Sequence, residues 1–157
     1  MCIRDRLETV VEESQRYPYF IQLWGEALWR RLRADKVSRV DGGLVAAARP
    51  DFDEQRKIYY EDRYDELDVS ELIAAAKSVA VCFDGRNSAP RSALLDAVMR
   101  AGADEATADA QFTRLMELGY VWKQPSQREF EPGIPSLMSY VRYDGKPPGG
   151  GQRRAPD

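Results

Sequence analysis

Histidine is missing from this chain altogether. That excludes a Ser-His-Asp triad, an imidazole general base and every histidine-containing metal site. Cysteine is scarce: Cys2 and Cys82 are too few for a zinc site, and a reduced, cytoplasmic setting is the simpler expectation. No apolar run approaches the roughly 20 residues of a membrane-spanning helix, and no signal-peptide pattern is present. Charge is nearly balanced, with a net −3 over 157 residues. No general attraction to nucleic acid or anionic lipid results, so any such binding must come from a local patch. What remains, 43% hydrophobic and 31% charged residues, is ordinary for a soluble chain of one domain or two small ones.

The most informative stretch is SQRYPYFIQLWGEALWRRL, from Ser14 to Leu32. Pro18 can open a helix, because the N–H it lacks has no intrahelical partner in the first turn. Phe20, Ile21, Trp24, Ala27, Leu28 and Leu32 then recur at helical spacing and give a wide apolar face. Glu26, Arg30 and Arg31 fall off that face. Gly25 in mid-helix costs about 1 kcal/mol against alanine, which predicts a close approach by another backbone. The stretch predicts a buried helix of a larger assembly.

Tyr17-Pro18-Tyr19-Phe20-Ile21-Gln22, followed by Gly25 and Leu28-Trp29, resembles the GYPYFIQ…G…LW segment of a group of P-loop ATPases. These are AAA-type and STAND-like proteins of archaea and bacteria, related to origin-recognition ATPases. The hexapeptide is moderately specific; a looser likeness in order and spacing extends from about Leu7 to Tyr143. The family's glycine stands as Arg16 here, a departure just before Tyr17. The resemblance implies that the segment opens the helical lid that comes after a nucleotide-binding core. It also implies that Pro18, with Tyr17 and more weakly Arg16, touches ATP in the full-length parent, and that a winged helix comes next. Lid closure over nucleotide, with the winged helix moving along, would be an ATP-dependent switch.

The first six residues, MCIRDR, fit poorly with the helical pattern from Leu7 onward and look like translated adapter sequence. Residues 1–6 are therefore expected to be a non-native leader, with a missing ATPase core upstream in the parent chain. From Leu7 to Gln15 a short helix is expected, then the Pro18 helix to about Arg33. Asp41 is a plausible N-cap for a short helix that Pro50 interrupts, and a further helix is expected from about Pro50 to Glu66. Asp53 and Lys57 suit an i,i+4 ion pair. Residues 7–67 thus form the expected all-helical lid.

Asp68 with Glu71 resembles a capping box and marks a new start. Helical stripes come next around Leu72–Phe83, Leu94–Met99 and Ala108–Met116, the last two closed by Gly102 and Gly119. Tyr120–Lys123 and Arg128–Glu131 read as a small hairpin punctuated by Pro125-Ser126, and Pro135 opens a last helix through Leu137, Met138 and Val141. Three helices and a hairpin make the order of a winged helix-turn-helix, expected over 68–143. Residues 144–157, rich in Gly, Pro and Arg, are expected to be disordered. The fold class expected is mainly α: a helical lid, then a winged helix-turn-helix domain with a small β-hairpin.

A P-loop needs G-x-x-x-x-G-K-[ST] to cradle phosphates. The only Gly-Lys here, Gly145-Lys146, runs into proline, and no strand ending in paired acids is visible. The chain is thus not expected to hydrolyse ATP alone. DNA binding would rest on Arg86, Arg91, Lys123 and Arg128. The helix in the recognition position, however, sets Asp104, Glu105, Asp109 and Glu117 against Arg114, which disfavours DNA. A protein partner is the other expectation. Acidic pairs such as Asp51 and Asp53 lack any nucleophile or metal partner and read as a solvated face.

Overall fold

The fold is mainly helical: among the residues described, seven helices accompany three short strands in one antiparallel sheet. It is taken from a computed structural model that describes residues 3–123 and 128–145, with side chains from Glu8 onward. The expected leader and most of the expected disordered tail lie outside the described side chains, as do Pro125 and Ser126. The chain divides into two compact units, Met1–Tyr59 and Tyr60–Asp157. That division falls inside a helix, earlier than the Asp68 boundary read from the sequence.

The first unit holds α1 (Ile3–Glu13), α2 (Pro18–Ala34) and the larger part of α3 (Gly42–Asp65). Two residues in the left-handed region, Gln15 (φ 52°) and Arg16 (φ 59°), reverse the chain between α1 and α2. Arg16 N–H closes this turn on the Val11 carbonyl at 3.1 Å. Pro18 then occupies the first turn of α2, as expected. Phe20, Leu23, Trp24 and Ala27 are the buried positions of α2. Of these, Trp24 stacks on Phe52 of α3 and Phe20 sits edge-on to it.

Asp41 caps α3: Leu44 N–H donates to its Oδ1 at 2.8 Å. Pro50, however, does not interrupt the helix, and the two helices expected here are one, from Gly42 to Asp65. Proline inside a helix forfeits one backbone hydrogen bond. Here the turns on either side of it are anchored, with Leu44, Val45 and Ala48 buried before it and Phe52 after it. Asp53 pairs with Arg56 at 2.7 Å. Arg31, off the buried face of α2, is half-buried beside Asp51 at 3.5 Å.

The second unit runs from Tyr60 in the last turns of α3 through α4 (Ser70–Cys82), β1 (Ala89–Pro90), α5 (Arg91–Arg100), α6 (Glu105–Glu117), β2 (Val121–Lys123), β3 (Glu129–Pro132) and α7 (Pro135–Arg142). The capping box expected at Asp68 does not form. Asp68 takes φ 63°, Val69 is the N-cap of α4, and Glu71 accepts instead from Ser70 Oγ at 2.9 Å. With its backbone in the left-handed region, Asp68 is not in the extended conformation an N-cap needs. Asp104 does cap α6, accepting from Thr107 N–H at 2.7 Å.

Helix α4 packs on α5 and α7, and α5 packs on α6. Val79, Leu94, Val98, Phe112, Leu115, Leu137 and Val141 are fully buried in this core. The sheet order is β1-β3-β2, with Ala89 opposite Phe130 and Trp122 opposite Glu131. Strand β1 is not legible in the sequence; two residues, one of them proline, carry no period. Gly133 passes so close to the Gly119 carbonyl that a Cβ there would stand 1.9 Å from the oxygen, and its N–H donates to Tyr120 O at 2.8 Å. Asp144, expected to begin the tail, is held by Lys77 and by the Tyr64 hydroxyl.

Candidate functional site

The head of α2 carries the three residues implied to touch nucleotide. Arg16 and Pro18 are exposed, and Tyr17 is half-buried as the N-cap with extended backbone (φ −79°, ψ 122°). No side chain caps this helix end among the described residues. The Tyr17 ring meets Phe20 edge-on at 5.2 Å, and its hydroxyl lies 3.4 Å from that of Tyr59. Tyr19 packs on the same Tyr59 ring at 4.9 Å. The three residues therefore stand side by side, with Tyr17 held by an aromatic cluster and Pro18 open.

Beyond its head, α2 buries Phe20, Leu23, Trp24 and Ala27. Ile21, expected on the same face, is 41% exposed instead, and Trp29 is 60% exposed, with Gly25 between them in the chain. The close backbone neighbour expected at Gly25 is not found: among the described residues nothing lies within 4 Å of where its Cβ would be.

The four cations expected to favour DNA are distributed over the second unit. Arg86 lies in the turn after α4, its N–H bonded to Phe83 O. Arg91 pairs with Asp109 and lies over the Phe112 ring at 5.6 Å. Lys123 sits opposite Phe130 in the hairpin, its ammonium 5.8 Å from the ring. Arg128 is exposed just before β3. The β1–β3 register ends at Pro90 opposite Glu129, so Arg91 and Arg128 are the next residues out at that end of the sheet. Three of the four therefore gather there by topology, and Arg86 is separate from them in sequence and element.

Between α5 and α6 runs an open groove of about 630 Å³. Leu95, Met99 and Ala108 give it an apolar floor. Asp96, Asp104, Glu105 and Asp109 line it with four carboxylates against the single guanidinium of Arg91. The Thr107 N–H holds the Asp104 carboxyl below its usual range. The acidic bias of α6 is legible in the sequence; the apolar floor is not, since it takes two helices to assemble.

Chemistry of other kinds has little to stand on. No group of three metal-ligating side chains occurs among the described residues. Burial pushes the Cys82 thiol up, against the pull of Arg100 and Arg86, so it is a poor nucleophile. No helix among the described residues is long and apolar enough to cross a membrane. Compared with protein-family models, with curated proteins and with solved structures, the chain finds no match in any of the three.

Proposed function

We propose that this chain is the helical lid and winged helix of an ATP-binding, AAA-type P-loop ATPase, and that it couples the nucleotide state to a protein partner without hydrolysing ATP alone. The observation that carries the reading is the apolar surface that α2 leaves open. Large apolar side chains exposed on one helix mark a surface suited to being covered. Here Ile21 and Trp29, on either side of Gly25, lie exposed along the helix that Pro18 opens. In this reading the ATPase core covers them, and Pro18 and Tyr17 meet the base or sugar of ATP. The P-loop that holds the phosphates belongs to that core.

The winged-helix reading draws its support from the second unit. The order helix, short strand, two helices, hairpin, with β3 between β1 and β2, agrees with what a winged helix-turn-helix would require. A stand-alone DNA-binding regulator is the alternative. Arg91, Lys123 and Arg128 at one end of the sheet favour it, and the carboxylates along α6 oppose it.

The deciding experiment is to recover the gene upstream of the Leu7 codon. An open reading frame continuing into a P-loop is the expected result, and a photoreactive ATP analogue should then label the whole protein at Tyr17 or its neighbours. A genuine start codon with no ATPase sequence before it overturns the reading.

A further inference from the structure

We infer that the α5–α6 groove is a docking site for a basic amphipathic segment of a partner protein, one with an apolar anchor flanked by Lys or Arg. The inference rests on the geometry of these two helices and not on the nucleotide reading.

The groove's volume, about 630 Å³, is that of a site able to enclose one or two large side chains. Its floor is apolar: Leu95 and Met99 are half-buried and Ala108 is buried, so an apolar side chain would replace water at Leu95 and Met99. Methionine adds an adaptable surface of the kind used to accept varied helices. The rim selects the sign of the partner. Asp109 is already paired with Arg91, and Asp104 is engaged as the α6 cap. Asp96 and Glu105 remain exposed at the groove's edges, positioned for ammonium or guanidinium groups. A helix laid in a groove uses this combination of apolar anchor and charged flank. The same rim disfavours a polyanion, since its four carboxylates outnumber the one guanidinium of Arg91.

The test uses the full chain and a labelled peptide of about five helical turns, leucine on one face and lysine elsewhere. Binding is monitored by fluorescence anisotropy and mapped by amide NMR shifts. The expected result is saturable binding with shifts centred on Leu95, Asp96, Met99 and Glu105. Neutralising the rim by Asp96→Asn with Glu105→Gln should weaken it roughly tenfold while the circular dichroism is unchanged. A peptide of equal charge with serine for leucine should also bind about tenfold more weakly. Shifts centred elsewhere, or equal binding by the neutralised variant or by the serine peptide, overturn the inference. So do duplex DNA moving the same amides, and the same shifts on raising protein concentration alone, which would make a second copy the occupant.

Discussion

The indole of Trp24 lies almost parallel to the ring of Phe52, with centroids 4.5 Å apart and planes 18° from parallel. Both side chains are fully buried, and the Arg56 guanidinium lies 5.0 Å from the Phe52 ring centroid. This stack joins α2 to α3 inside the first unit. Trp24→Ala should destabilise the chain by about 3–5 kcal/mol, read from chemical denaturation. A double-mutant cycle with Phe52→Ala should leave a coupling of about 1 kcal/mol. Additive losses would mean that the two rings merely share a core.

Arg16 adopts φ 59°, in the region that glycine enters without cost. Arg16→Gly should therefore raise stability by about 0.5 kcal/mol, the relief of backbone strain outweighing the added freedom of the unfolded chain. Thermal melting of the two proteins decides it, and a lower melting point for the glycine variant would show that the arginine side chain holds the turn. In the proposed reading, this is also the position at which the ATPase segment carries glycine.

Gly133 should tolerate no side chain. A Cβ at 1.9 Å from the Gly119 carbonyl oxygen forces the backbone apart where the chain enters α7. Gly133→Ala is expected to cost about 3 kcal/mol or more, by denaturant titration, and to weaken amide protection in β2 and β3. Gly25→Ala should do the opposite and add about 1 kcal/mol, because its Cβ meets open space in mid-helix.

Burial holds the proton on Tyr120, whose hydroxyl donates to the Arg63 carbonyl, far above the usual phenol range. An unfolded tyrosine ionises near pH 10. The stability contributed by the neutral phenol is therefore complete below about pH 10 and declines above it, where the unfolded chain releases a proton that the folded chain keeps. Denaturation midpoints should fall over that alkaline range, and Tyr120→Phe should make the fall shallower. At neutral pH that variant should cost about 1 kcal/mol through the lost hydrogen bond.

Local chemistry is the legible part of this fold. Pro18, Asp41, Gly102 and Gly119 each announce a helix end through their own backbone or side chain, and each stands at one. The helical stripe of Leu94, Val98, Phe112 and Leu115 likewise names its buried positions. The expectations that fail are those that depend on the surroundings. Pro50 breaks an isolated helix, but packed turns on both sides carry α3 through it. Asp68 and Glu71 have the spacing of a capping box, yet the turn leaving α3 sets the Asp68 backbone for another role. At the candidate sites, residue types are legible and assembly is not: one pattern gives the acids of α6, while the groove needs α5 opposite them.

The three tryptophans make the chain its own reporter. Trp24 is sealed in the first unit, Trp29 is open on α2, and Trp122 is 55% exposed on the hairpin of the second unit. A quencher in solution therefore reaches one indole in each unit and leaves the third dark to it until unfolding. With Trp29 or Trp122 replaced singly by phenylalanine, the light that remains quenchable comes from one unit at a time. Whatever settles on α2, or on the hairpin beside Arg128, would then announce its address by colour and shielding, without a label of any kind.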